Sequence, residues 1–89
     1  MNIAIITNTI KDTGFSAAKR TADLIGSRAD IFMSDDCIIS DMPGINYVAY
    51  DMLWENADIA FIIGGDGTML QAAPHCAKHR IPTLGINFG

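Results

Sequence analysis

The sequence predicts a three-layer α/β fold: an open parallel sheet of about four strands with helices on both faces. Three observations lead there. The apolar runs Ile3-Ala4-Ile5-Ile6 and Ile59-Ala60-Phe61-Ile62-Ile63 lack polar alternation, which suits strands covered on both sides. Amphipathic segments separate the apolar runs, so strand and helix alternate as in right-handed βαβ units. A glycine-rich junction, Gly64-Gly65-Asp66-Gly67-Thr68, joins the strongest apolar run to a helical segment.

The first strand is Ile3 to Ile6. Phe15, Ala18, Ala22 and Ile25 then recur at helical spacing, with Lys19, Arg20 and Asp23 elsewhere on the wheel, and the helix should end near Gly26. Residues 29–33 read as a second strand. Residues 34–44, with three aspartates and Pro43-Gly44, read as a connection whose middle, Cys37-Ile38-Ile39, has no clear assignment. Ile45, Val48, Ala49, Met52 and Leu53 fit i, i+3, i+4, i+7, i+8, so a second helix of about ten residues is expected before Asn56. Tyr47, Tyr50 and Trp54 widen its apolar face, as core or interdomain packing. Residues 59–63 form the third strand. Thr68-Met69-Leu70-Gln71 has the form of a capping box, placing a helix start at Thr68. Pro74 should kink that helix, which is expected to be irregular over residues 68–78. Residues 81–86 close the chain as a fourth strand. Only Asn87-Phe88-Gly89 follow, so residues 1–89 are expected to be one α/β domain cut at a domain boundary.

Composition narrows the function classes. With 49% hydrophobic and 18% charged residues among 89, the chain is not of the disordered class. It has neither an apolar run of the roughly 18 residues needed to span a membrane nor a secretory leader pattern, so a soluble, cytoplasmic protein is expected. A net charge of −4 with scattered basic residues argues against a nucleic-acid groove. Cys37 and Cys76 lack metal-ligand spacing and read as reduced thiols. His75 and His79 would share a helix face, but no carboxylate flanks them as in a zinc helix, so they read as structural.

The chemistry lies at residues 64–68. In open α/β sheets ligands bind at the carboxyl ends of strands, and a helix start offers free N–H groups to an anion. Neither a Walker lysine nor a Gly-x-Gly-x-x-Gly fingerprint is present. Asp66 is the unusual residue, because a carboxylate in a phosphate cradle repels the ligand unless it has another task. It could accept a proton from an attacking hydroxyl or act through Mg²⁺ bridging phosphates. The plain alternative is a tight Asp-Gly turn.

Gly64-Gly65-Asp66-Gly67-Thr68 with Met69-Leu70, followed by residues 81–89, resembles the amino-terminal domain of the ATP-dependent NAD kinases. The likeness extends to residues 8–11 and to Ala57-Asp58. Diacylglycerol and sphingosine kinases share the Gly-Gly-Asp-Gly-Thr loop but place Asn-Glu soon after it, where this chain has Met69-Leu70-Gln71; phosphofructokinases fit less well. The resemblance implies a Rossmann-like, phosphofructokinase-like domain that transfers phosphate from ATP, with Mg²⁺, to the 2′-hydroxyl of the adenosine ribose of NAD. On this chain it implies Asp66 as proton acceptor and NAD contact, and Gly67 as a second NAD contact. Gly64, Gly65 and Thr68 would shape the loop and face phosphates, Leu70 would line the dinucleotide pocket, and Asn87 would be a pocket residue in a Gly-x-Asn-x-Gly turn. It also implies a β-rich carboxy-terminal domain and a homo-oligomer in the full-length protein, with the isolated chain inactive. A lipid kinase of the same superfamily and a non-catalytic nucleotide-binding or assembly module are the competing readings.

Overall fold

The computed structural model describes residues 1–86, and everything structural below refers to them. Five parallel strands form one sheet in the order β3-β2-β1-β4-β5. They are β1 (Asn2–Thr7), β2 (Asp30–Ser34), β3 (Ile45–Val48), β4 (Ile59–Ile63) and β5 (Thr83–Ile86), with helices α1 (Ser16–Ile25), α2 (Tyr50–Asn56) and α3 (Asp66–His79). The expected α/β class holds, with one more strand than expected.

Alternation along the strands builds two cores. Ile3, Ile5, Ile31, Met33 and Ile63 point to the face covered by Ala18 of α1 and by Cys37 and Met42 of the β2–β3 connection. Ala4, Ala60 and Ile62 point to the other face, under Leu53 and Trp54 of α2 and Ala72 and Cys76 of α3. The apolar central strands are thus buried from both sides, as their lack of alternation requires. The unassigned Cys37-Ile38-Ile39 lies in a 3-10 helix spanning Asp35–Ser40, with Cys37 turned into the first core.

Three local expectations are corrected. Ile45 to Val48 is a strand paired with β2, not the first turn of a helix; Ile45 packs against the first core beside Tyr47, and α2 begins only at Tyr50. Ile45 and Val48, three apart, would share a face on a helix, but in the strand they turn to opposite cores, and four residues are too few to tell the two periods apart. Tyr47 consequently leaves Tyr50 and Trp54 for the opposite face, where its hydroxyl bonds Ser40 Oγ at 2.8 Å and accepts from the Met42 N–H at 3.1 Å. Helix α3 starts two residues before Thr68, with Gly65 at its N-cap and no side-chain cap there, so the capping box does not form. Finally, α3 is one continuous α-helix through Pro74 to His79, where an irregular helix over residues 68–78 was expected. Proline withholds a bond only from the carbonyl of Leu70, and both residues sit on the exposed side of the helix.

Candidate active site at the strand-order reversal

The chain moves from β1 to β2 on one side and later enters β4 on the other, so β1 and β4 flank the point where strand order reverses. Such a point opens a crevice at the strands' carboxyl ends, because the two flanking loops diverge to opposite faces. Here the loops are residues 8–12 and 64–67, tied together by an Asn8 N–H bond to the Ile63 carbonyl at 3.2 Å.

The β1 loop is held by two side chains that sequence reasoning did not single out as site residues. Asn8 Oδ1 accepts from the N–H groups of Ile10 and Lys11 at 3.0 Å each, and its Nδ2 reaches Thr68 Oγ1 at 3.5 Å. Asp12, only 2% exposed, accepts from Thr7 Oγ1 at 2.8 Å and from the N–H groups of Ala17 and Ala18 at 2.8 and 3.1 Å. Asp12 therefore caps α1 from outside, in place of Phe15, which occupies the N-cap position in a left-handed conformation. The only sequence signal was an aspartate a few residues ahead of an apolar periodic run.

In the β4 loop, Gly64 is buried at φ +152°, and a Cβ there would lie 2.6 Å from Thr68 Oγ1. Its N–H bonds the Ile86 carbonyl at 2.9 Å, anchoring the loop to β5. Gly64 thus shapes the turn. Gly65 and Gly67 have open space where a Cβ would stand, leaving their backbone approachable. Asp66 is exposed at the first helical position, where the helix dipole favours a negative charge. Thr68 is buried at 8% exposure and joins the two loops through Asn8.

Two concavities flank the glycine loop. One, about 180 Å³, is bounded by Gly64, Gly65, Asp66, Met69, Gly85 and Ile86. The other, about 300 Å³, lies between the β1 loop, the end of β2 and helices α2 and α3, with Asn8, Ser34, Asp36, Tyr50, Thr68 and Gln71 on its walls. The structure therefore brings Gly64, Gly65, Asp66, Gly67 and Thr68 together. Leu70 is 72% exposed and lines neither concavity, and Asn87 lies outside the described residues. His75 stacks on Trp54 with centroids 5.0 Å apart and planes 6° from parallel, and Tyr50 meets both rings edge-on.

Comparison with known proteins agrees with this geometry. Residues 3–89 match the family described as the ATP-NAD kinase N-terminal domain. An NAD kinase of Azoarcus sp. (strain BH72) is 36% identical over 69 residues, covering 78% of this chain and 19% of the relative. An NAD kinase of Ectopseudomonas mendocina is 42% identical over 57 residues, 62% of this chain and 19% of its own length. One from Alcanivorax borkumensis is 27% identical over 90 residues, 99% of this chain and 30% of its own. The chain spans between about a fifth and a third of the length of these curated relatives. A parallel sheet whose reversal point carries the glycine-aspartate loop, matched along nearly its whole length by one family, places this chain in the ATP-NAD kinase N-terminal domain family.

Proposed function

We propose that this chain is the nucleotide-binding, amino-terminal part of an NAD kinase, which moves the γ-phosphoryl group of ATP to the 2′-hydroxyl of the adenosine ribose of NAD. The observation that carries this reading is the exposed carboxylate of Asp66 at the start of α3, beside the reversal point and on the wall of the smaller concavity, while Thr68 two residues on lines the larger one. A transfer between two bound nucleotides needs both to meet at one loop. It also needs a base there with no structural bond to break, and among the described residues none of the side-chain hydrogen bonds engages Asp66.

In the proposed step, the ribose oxygen forms a bond to the γ-phosphorus while the bond from that phosphorus to the β-γ bridging oxygen breaks. ADP leaves with the electron pair and the hydroxyl proton passes to the Asp66 carboxylate. An ordinary carboxylate suffices, because a loose phosphoryl-transfer transition state requires little early proton removal. Gly65 and Gly67 let the backbone approach phosphate oxygens and the dinucleotide, Gly67 beside Asp66 on the NAD side. Gly64 and Thr68 keep the loop in shape, with Thr68 facing the phosphates across Asn8.

Mg²⁺ commonly binds through one or two carboxylates plus substrate phosphates. Among the described residues no group of three or more His, Cys, Asp or Glu side chains could hold a metal. The ion would therefore be held by the ATP phosphates, leaving the Asp66 carboxylate to take the proton, and would neutralise developing phosphate charge. Leu70 and Asn87 complete the dinucleotide pocket only with further walls. The reading therefore includes a β-rich carboxy-terminal domain, a cytoplasmic homo-oligomer, and inactivity of the 89-residue chain alone.

The test is NADP formation from NAD, ATP and Mg²⁺ by the complete gene product. Asp66→Asn is expected to lower the rate by roughly 10²–10⁴-fold, the usual worth of a general base, while NAD affinity stays within a few fold. A variant that keeps its rate removes the proton-acceptor role and favours a binding module. Phosphorylation of diacylglycerol in place of NAD would move the protein to the lipid kinases.

A further inference from the structure

The two concavities beside the glycine loop are not equivalent. Asp66 stands on the wall of the smaller one and not of the larger, whereas Thr68 lines the larger one alone. Phosphoryl transfer runs roughly in line, with the attacking and leaving oxygens on opposite sides of the phosphorus. An attacking hydroxyl that gives its proton to Asp66 therefore comes from the smaller concavity, and the leaving group departs into the larger. The larger one has a far end with its own chemistry. It runs from Thr68 past Asn8 to Ser34, the last residue of β2, and to Asp36, two residues beyond. Alternation from Met33, which belongs to the first core, turns Ser34 to the α2 face, where Tyr50 and Leu53 wall the concavity. Ser34 is only 8% exposed, yet among the described residues its hydroxyl enters none of the side-chain hydrogen bonds. Asp36 is exposed, and only one of its carboxylate oxygens is engaged, by the Cys37 thiol at 3.4 Å.

We propose that the larger concavity seats the nucleoside diphosphate that leaves in the transfer, its ribose hydroxyls bonded to Asp36 and Ser34, a proposal that rests on the NAD kinase reading. Charge decides what stands at each end. An ionised carboxylate only accepts hydrogen bonds, so Asp36 repels phosphate oxygens and takes hydroxyl donors, of which a vicinal diol offers two. Ser34 can accept or donate and completes the pair. The phosphates belong at the opposite end, where the start of α3 presents free N–H groups beside Thr68. Length agrees. Only β1 separates β4 from β2, so the glycine loop and the end of β2 lie two strand spacings apart, about 10 Å. An extended phosphate chain covers that span before it reaches its ribose. A volume of about 300 Å³ is at the small end of the roughly 300–1,000 Å³ of ligand sites. It takes the diphosphate and the sugar and leaves the base at the rim, where Ile10 is 89% exposed. The sugar of the donor is what this end of the concavity reads.

The test pairs variants of the complete gene product with ATP and with 2′,3′-dideoxy-ATP, which lacks both hydroxyls. With the unchanged protein, the dideoxy donor is expected to lower kcat/KM by about 10–100-fold, the worth of hydrogen bonds to a charged group. Asp36→Ala should lose about as much with ATP, lose nothing further with the dideoxy donor, and hold KM for NAD within about twofold. Ser34→Ala should repeat the pattern at roughly 2–10-fold, as for a neutral hydrogen bond. An Asp36→Ala protein that keeps its full rate with ATP overturns the proposal, as does a dideoxy penalty undiminished in that variant. A rise in KM for NAD alone also overturns it, because the acceptor then fills the larger concavity. Calorimetric titration with ADP and 2′,3′-dideoxy-ADP repeats the comparison without turnover. Coupling between Asp36 and the hydroxyls in a protein that forms no NADP sinks the kinase reading and leaves the ribose site standing. NADP formation without that coupling sinks the ribose site and leaves the kinase reading; the absence of both overturns both.

Discussion

Asp12 and Asp66 both stand beside a helix N-terminus, yet their surroundings give them different work. Asp12 is buried and commits its two oxygens to Thr7, Ala17 and Ala18. It can position the β1 loop but cannot accept a substrate proton without abandoning α1. Asp66 is exposed at the head of α3 and has no such duty. Gly64 carries the structural side of the motif, and Gly64→Ala places a methyl 2.6 Å from Thr68 Oγ1 at φ +152°. The expected cost is roughly 1–3 kcal/mol of stability from strain and overpacking, read as a lower urea midpoint; the same change at Gly67, which faces open space, should cost less than half as much. Cys37 gives a pH signature. Burial first, then its hydrogen bond to Asp36 at 3.4 Å and the charges of Asp36, Asp12 and Asp35, push its thiol up to about 12. The unfolded thiol titrates near roughly 8.5, so between those values the folded state holds the extra proton and stability falls as pH rises. Burial raises Cys76 with the same sign. Urea midpoints should therefore drop from pH 8 to pH 10.5, and Cys37→Ala should flatten, without abolishing, that drop.

Elements show what the sequence made legible and where it misled. The strands at Ile3–Ile6 and Ile59–Ile63 were readable because central strands of a parallel sheet are apolar on both faces, and runs this short and isoleucine-rich favour a strand over a buried helix. The glycine loop was readable because its residue types are set by backbone geometry. Strand β3 was hidden because Ile45-Asn46-Tyr47-Val48 is too short to reveal its period, and because it runs almost directly into α2. The capping box was a coincidence of spacing: the turn at Gly64 needs Thr68 inside the helix, packed beneath it, rather than at the end. Asp12 was hidden because its capping bonds reach five and six residues ahead, beyond the usual cap register. Pro74 misled in the opposite direction, since a proline on the solvent side of a helix costs stability without ending it. Replacing it with alanine should therefore stabilise the protein. The interior penalty of about 3 kcal/mol is offset by up to about 1 kcal/mol lost as the unfolded chain becomes more flexible. A gain of about 2 kcal/mol remains, measurable as a higher urea midpoint with an unchanged far-UV dichroism spectrum.

At the scale of the whole molecule, the two cores are unequal but share their strands. The face under α2 and α3 is closed, whereas the face under α1 keeps a bare strip at the β5 edge, where Leu84 is 49% exposed. A radius of gyration of 11.6 Å, against about 12 Å expected for a compact chain of this length, means that the bare strip does not loosen the rest. The closed side also carries a cost: Trp54 is 2% exposed and its Nε1 has no hydrogen-bond partner among the described residues, a penalty of roughly 1–3 kcal/mol set against its stacking on His75. Independent melting of either layer would require the sheet to survive with one face stripped. Ile3, Ile5 and Ile63 on one side alternate with Ala4, Ala60 and Ile62 on the other along the same β1 and β4, so stripping one face exposes apolar side chains from both central strands. The two layers should therefore unfold as one cooperative unit. Trp54, the sole tryptophan, reports the closed layer by its emission, and far-UV dichroism reports α1 together with the other helices. Urea curves from the two probes should superimpose; a dichroism loss preceding the shift in Trp54 emission would mean that α1 detaches first and that the bare strip destabilises its own layer.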